Sequence, residues 1–255
     1  MIRKLLEFNG LASHVEQFHP RTRDRDDIAV MRDADSGVIF LDRSDYITPE
    51  YYTCQTPNET TQMIIDDSRR VTQFKLMITE KDVLDFGSGY GGFVTNSAEL
   101  CNSIVSVEPG MPAPADYFTL HEAVANSYPF DVITMFHVLE HLTDPIGTLT
   151  ELYDALVPGG KLIVEVPHAR DALLDLPNFR EASLWSEHLI LHTRQSLKLF
   201  LKAAGFNIIG VGGYQRYDYI NHLKWGMDMI ESPEMYREQL FDADKTDTLI
   251  AIATK

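Results

Sequence analysis

Asp85-Phe-Gly87-Ser88-Gly89-Tyr-Gly91-Gly92 is the stretch that decides how this chain is read. Val83-Leu84 before it reads as a strand, and Phe93 to Leu100 after it reads as the start of a helix. A strand, a glycine-rich turn and a helix make a place where backbone closely approaches a ligand. Glycine tolerates φ > 0 in such a turn and lacks the Cβ that would hold a ligand off. The turn opens onto a helix N-terminus, whose first N–H groups have no partner inside the helix. Sixteen residues after Gly92, the next apolar run, Ile104-Val-Ser-Val, ends in Glu108. A carboxylate there is placed to bind both hydroxyls of a ribose. The expected ligand is therefore a nucleoside-containing cofactor.

Gly87, Gly89 and Gly92 also fit the dinucleotide pattern G-x-G-x-x-G, a weak signal by itself. Asp85 argues against that cofactor, because a carboxylate at the turn would repel a pyrophosphate and suits an ammonium. Two later segments decide the matter. They are Phe130-Asp-Val-Ile-Thr-Met-Phe136-His137-Val-Leu-Glu140-His141-Leu142 and Leu156-Val-Pro-Gly-Gly-Lys-Leu-Ile-Val-Glu-Val-Pro-His168. Over residues 80 to 170 the chain resembles the class I S-adenosylmethionine-dependent methyltransferases. The resemblance implies S-adenosyl-L-methionine as cofactor and S-adenosyl-L-homocysteine as product. It implies that Asp85 and Gly87 meet the methionine end, that Ser88, Gly89 and Gly91 of the same turn also hold the cofactor, and that Glu108 takes the ribose. Phe136 and His137, at the carboxyl end of the fourth strand, would line the methyl end, where open α/β sheets place ligands. Adenine contacts would fall within residues 116–122, where no single residue stands out.

Bulk properties agree with a soluble enzyme. A chain of 255 residues can bury a full α/β core. No apolar run approaches the length needed to span a bilayer. Met1-Ile-Arg-Lys-Leu-Leu-Glu7 carries no apolar core or cleavage site of a signal peptide, so a cytoplasmic location is expected. Cys54 and Cys101 are the only cysteines and are expected to be free thiols. The net charge of −16 argues against a nucleic-acid partner, whose backbone the protein's field would repel. A membrane partner is not expected, and a homodimer is allowed.

The order of segments predicts a Rossmann-like α/β fold with a mostly parallel sheet, its last strand antiparallel, and helices on both faces. Residues 1–47 form an N-terminal extension, with a hairpin of Ile28–Arg32 and Val38–Asp42 about the turn Asp33-Ala-Asp-Ser-Gly37. Residues 48–255 form the catalytic domain. Within it 48–80 is a helical lid that starts at Thr48-Pro49-Glu50 and breaks near Pro57, and 168–247 is an acceptor-binding insertion. Strands are predicted at 82–86, 103–107, 118–120, 131–136, 161–166, 207–211 and 248–253.

His137-Val-Leu-Glu140-His141 spells H-x-x-E-H, with three polar residues on one face of a predicted helix. A zinc-protease reading fails for want of a third ligand and of any protease context. Some ubiquinone-pathway and RNA 3′-end methyltransferases, which bind a divalent cation, carry E-x-x-E-H here. This chain has His137 in place of the first Glu. The expectation is thus no metal, activity that survives EDTA, and Glu140 and His141 bracing the local structure.

The region after the fifth predicted strand is rich in aromatic, amide and imidazole groups. It holds His168, Trp185, His188, His192, Tyr214-Gln215-Arg216-Tyr217, Asn221-His222 and Trp225. Such a mixture suits a polyhydroxylated ring, and Arg216 suits a phosphate or carboxylate. These segments, with Tyr51-Tyr52, resemble a methyltransferase subgroup of bacterial surface-polysaccharide pathways, similar to enzymes that O-methylate nucleotide-linked heptoses. The acceptor implied is a nucleotide-linked sugar for capsule or another surface polysaccharide. Its pocket would be lined by Tyr51, Tyr52, His168, Trp185, His188, Tyr214, Gln215, Arg216, Asn221 and His222. A sugar hydroxyl needs a base as its bond to carbon forms, and His192 and His168 are expected before His137. N- or C-methylation of another metabolite, and a non-catalytic cofactor-binding module, remain as alternatives.

Overall fold

The computed structural model describes residues 2–48, 51, 60–110, 115–127, 129–226 and 233–255. Its main sheet has six strands: β4 (Asp82–Phe86), β5 (Ser103–Val107), β6 (Phe130–Phe136), β7 (Leu156–Pro167), β9 (Asn207–Tyr214) and β10 (Thr248–Thr254). Their spatial order is β5-β4-β6-β7-β10-β9. The pairs β4/β5, β4/β6 and β6/β7 are parallel, and β10 runs antiparallel to both β7 and β9. This is the Rossmann-like sheet expected, with β10 as its late antiparallel strand.

The strands read as apolar runs because both faces of the sheet are covered. Val83, Val132 and Ile163 pack beneath Phe74 and Ile78 of α2 (Thr61–Ile78) and Phe93 of α3 (Gly92–Ser97). Leu84, Ile133, Leu162 and Val164 meet Leu149 and Leu152 of α5 (Pro145–Ala155) and Leu197, Phe200 and Leu201 of α7 (Arg194–Ala203). Helix α7 is fixed at its start by a reciprocal cap between Thr193 and Ser196.

The hairpin expected near the N-terminus forms as β2 (Val30–Asp33) and β3 (Ile39–Leu41). Two further strands join it, giving the order β1-β2-β3-β8, with β1 at Val15–His19 and β8 at Ile190–Leu191. The N-terminal segment is thus completed by a strand from far along the chain. Its Ile28, Val38 and Phe40 belong to the same core cluster as Ile133 and Leu162.

Two expectations are corrected. Residues 118–120 form no strand: Tyr117 makes one isolated bridge to Val107, and α4 (Leu120–Ser127) follows at once. The carboxylate of Glu122 accepts from Thr119 N–H while Thr119 Oγ1 accepts from Glu122 N–H, a capping arrangement that starts the helix. The H-x-x-E-H segment is not on a helix that leaves β6. It forms a single 3₁₀ turn, Leu139–His141. Helix α2 begins with Thr60 as its N-cap, whereas Pro49, Glu50 and Pro57 lie outside the described residues. Cys101 is a free, half-buried thiol, and Cys54 lies outside the described residues.

Candidate active site

A cavity of about 440 Å³ opens at the carboxyl ends of β4, β5 and β6. Of the residues expected to hold the cofactor, Asp85, Gly87, Ser88, Gly89, Glu108, Phe136 and His137 line it, and Gly91 does not. Gly91 adopts φ +72° as the N-cap of α3, so it shapes the turn from behind.

Two glycines are dictated by close approach. Gly87 has φ +78°, and a Cβ there would overlap Val138 Cγ2. A Cβ at Gly92 would overlap the Asp67 carboxylate of α2. Gly87→Ala is expected to cost about 1–3 kcal/mol from the left-handed backbone alone, with the Val138 overlap adding to it. Thermal unfolding of the variant checks this.

The carboxylates of the cavity are held firmly. Asp85 is buried and accepts a 2.6 Å bond from Thr134 Oγ1. Burial pushes its carboxyl up to about 7, against the Thr134 bond. Glu108 takes the Gly89 N–H on one oxygen at 2.9 Å and the Gly110 N–H on the other at 2.7 Å. Each oxygen keeps a second acceptor direction. Ser88 Oγ and Tyr90 Oη, both on lining residues, are buried with no hydrogen-bond partner.

Sequence reading missed much of the opposite wall. Met63, Asp66, Asp67 and Arg70 of α2 line the cavity, as do Tyr90, Pro109, His141, Leu142 and Glu187. The Arg70 guanidinium lies 4.5 Å above the Phe136 ring. It also binds Glu165 Oε1 at 2.9 Å and Asp67 at 3.1 Å. Arg69 forms a two-point pair with the same Glu165, at 2.8 and 3.0 Å. Glu165 is fully buried. Burial alone would raise its carboxyl, but the His137 bond and the arginines hold it well below the usual range. The signal was present in the sequence: one acid interrupts the apolar run of β7, and a charge buried on both faces of a sheet needs partners.

His137 sits where these groups meet. It has φ +56°, unusual for a residue with a side chain. Its ring lies between Glu140 Oε1 and Glu165 Oε1, each 3.2 Å from a ring nitrogen, and its N–H donates to the Glu165 carbonyl.

Most of the expected acceptor residues lie elsewhere. His168 and His192 are 1% and 0% exposed, pair across an isolated bridge, and do not line the cavity. His168 Nδ1 donates to the Thr246 carbonyl, and His192 Nδ1 is paired with Ser196 Oγ. Burial pushes each imidazole down to about 4. These are core positions, reached because the chain folds inward after β7. Trp185 stacks under Arg23, and Tyr214 under Arg69. Gln215 and His222 are buried together, with Gln215 donating to Asp247. Asn221 lies in α8 (Tyr219–Lys224), its N–H capped by Asp218. Tyr51 reaches Ser186 at 3.5 Å and does not line the cavity, and Tyr52 lies outside the described residues. Arg216 does line the cavity, paired with Asp66.

His188 was expected at the acceptor and is found against His141, ring centroids 4.9 Å apart. Leu189 N–H donates to the Glu140 carbonyl at 2.7 Å, which fixes this approach. Burial lowers both imidazoles, His188 to about 4.

The residues fit the expected ligand on structural grounds. The wall carries Asp66, Asp67, Asp85, Glu108 and Glu187 against Arg70 and Arg216, so it favours a cation. The paired oxygens of Glu108 suit a diol, and the partnerless Ser88 and Tyr90 hydroxyls await a polar ligand. Residues 65–211, more than half of the chain, match the family model described as a methyltransferase domain. The chain belongs to this methyltransferase family. S-adenosyl-L-methionine is the cofactor that the sequence resemblance implies for it.

Of three similar solved structures, the first supports the fold. An S-adenosylmethionine-dependent methyltransferase from Archaeoglobus fulgidus superposes with a TM-score of 0.57 at 16% identity, covering 75% of this chain and 93% of that one. The N-methyltransferase NodS from Bradyrhizobium japonicum, in complex with S-adenosyl-L-homocysteine, gives 0.49 at 14% identity, covering 81% and 96%. A Mesorhizobium loti S-adenosylmethionine-dependent methyltransferase gives 0.49 at 16%, covering 75% and 100%. A search of curated protein sequences gives no match. Among the described residues, no helix is long and apolar enough to cross a membrane.

Proposed function

We propose that the protein transfers a methyl group to a hydroxyl of a small polar acceptor, a nucleotide-linked sugar destined for a surface polysaccharide, in the cytoplasm. The observation that carries the hydroxyl reading is His137. It is the imidazole at the carboxyl end of β6 that lines the cavity while its ring is gripped by two buried carboxylates. The sugar rests on the sequence resemblance and on the polar rim of His141, Glu187 and Arg216. An open cavity with this lining speaks against a closed, non-catalytic module.

In this reading Asp85 holds the cofactor's ammonium and Glu108 its ribose hydroxyls. The bound cofactor supplies an activated methyl group on a sulfonium. Phe136, between Phe74 and Phe93, gives an apolar floor that keeps water from the methyl group. Both ring nitrogens of His137 face carboxylates, so Nε2 parts from Glu165 to take the acceptor's proton as the new bond to carbon forms, while Glu140, still on Nδ1, stabilises the charge the ring gains. The protein's task is alignment and proton removal.

The test is mass spectrometry of a nucleotide-sugar panel incubated with the cofactor, with gain of one methyl group as the expected result. Methylation at nitrogen, or of no sugar in the panel, overturns the acceptor. S-adenosyl-L-homocysteine at a hundredfold excess over its dissociation constant should add about 2.7 kcal/mol of stability. Stabilisation by NADH in its place would overturn the cofactor roles.

Affinity should also depend on pH. The buried Asp85 carboxyl holds its proton to about 7 without ligand, above the ordinary 3.8. An ammonium needs the ionised form, so binding should strengthen as pH rises through that value. S-adenosyl-L-homocysteine should bind about tenfold more weakly at pH 6 than at pH 8. Calorimetry on wild type and Asp85→Asn checks this: the variant should bind weakly with a flat profile, and a flat wild-type profile overturns the role of Asp85.

A further inference from the structure

We propose that Glu140, His141 and His188 form a site for one divalent first-row transition-metal ion, of the Zn²⁺, Co²⁺ or Mn²⁺ kind, on the acceptor side of the cavity. One ligand atom from each residue lies within 4.8 Å of the others. The sequence led to the opposite expectation, no metal, with Glu140 and His141 together there and His188 apart; the fold adds it, since β8 pairs with β3 and the Leu189 bond to Glu140 sets His188 beside His141.

Glu140 supplies an independent observation. It is 0% exposed, and its Oε2 has no hydrogen-bond partner. Among the described residues no lysine or arginine pairs with it; its ionic neighbours are the imidazoles of His137 and His141. A buried carboxylate without a full counter-charge is costly. A cation at Oε2 supplies that charge.

The donor set selects the ion. Two imidazole nitrogens and one carboxylate oxygen suit zinc, cobalt or manganese, whereas magnesium and calcium favour oxygen shells. Three protein ligands leave a position open, as in catalytic metal sites. His141 lines the cavity, so an open position there faces the acceptor. His137 Nδ1, 3.2 Å from Glu140 Oε1, orients the carboxylate as an outer partner and leaves Oε2 for the ion. In the hydroxyl-methylation reading, on which the purpose of the site rests, the ion holds the acceptor oxygen and eases loss of its proton.

The test reads metal binding and not turnover, so its failure is distinct from failure of the acceptor reading. The full chain is dialysed against chelator and titrated with Co²⁺, following its visible ligand-field absorption, and then with Zn²⁺ and Mg²⁺ by calorimetry. One Co²⁺ or Zn²⁺ per chain is expected, with Mg²⁺ much weaker. Glu140→Gln and His188→Ala should each weaken binding by about 10- to 100-fold or more, while S-adenosyl-L-homocysteine still stabilises both. If Glu140→Gln fails to fold, His188→Ala decides alone. No saturable Co²⁺ binding by wild type, binding that survives loss of His188, or preference for Mg²⁺ overturns the site.

Discussion

His137→Asn should lower turnover by about 10²- to 10⁴-fold, the range for loss of a general base, with S-adenosyl-L-homocysteine affinity little changed. Asparagine is chosen because it tolerates the φ of +56° that His137 adopts. The variant thus removes the imidazole without adding backbone strain. The expectation rests on position. His137 lines the cavity, with a ring nitrogen that can leave its carboxylate for the acceptor, whereas His168 and His192 are enclosed in the core and do not line it. His168→Ala and His192→Ala should therefore lower the melting temperature more than they lower turnover per folded molecule. Steady-state kinetics on the identified acceptor, beside cofactor calorimetry, separates the cases. Near-wild-type turnover in His137→Asn would mean that alignment alone carries the reaction. Loss of cofactor affinity in proportion to turnover would make His137 a support of the cofactor pocket.

What the sequence disclosed, and what it hid, follows from how each feature is encoded. The β4 turn and Glu108 are local: a strand, a glycine turn and an acid at the end of the next strand are all written in consecutive residues. The strands of the main sheet are legible because burial on both faces leaves long apolar runs. Residues 118–120 misled because Tyr117-Phe118 favour a strand, although Thr119-Leu-His-Glu122 carried a helix-start signal that was passed over. β1 reads Val-Glu-Gln-Phe-His and β8 has two residues, so neither leaves a usable pattern. Which of the expected acceptor residues line the cavity was hidden for a related reason. Histidine and aromatic richness after β7 looks the same whether the rings face a ligand or each other, and only tertiary packing separates His188, beside the cavity, from His168 and His192 in the core. Glu165 lies 95 and 96 residues along the chain from Arg70 and Arg69, and they meet only when α2 lies over β7.

That meeting point carries the second large effect. Glu165→Gln should cost about 3–5 kcal/mol, the usual result of removing one partner from a buried ion pair. For a chain of this size the melting temperature should fall by roughly 6–20 °C. The carboxylate is 0% exposed and neutralises two guanidiniums, each also tied to an aspartate of the same helix. Glutamine keeps the shape and removes the charge, leaving the buried Arg70 and the half-buried Arg69 with too little compensation. The pH dependence has a definite sign. The folded state holds the Glu165 carboxyl well below its ordinary 4.5. Its contribution is therefore present above about 4.5 and is lost as pH falls below that value. Wild type and variant should differ most near neutrality and converge in acid, which urea unfolding at several pH values reads directly. A difference under about 0.5 kcal/mol at pH 7 would place Glu165 among ordinary surface substitutions and dismiss the network as a stabilising unit. Because the same carboxylate also bonds His137, the variant should lose turnover beyond its loss of folded protein. Helix α2, the strand β7 and the His137 imidazole are held by one group, so in the proposed reading the stability of the helix and the aim of the imidazole have one physical cause.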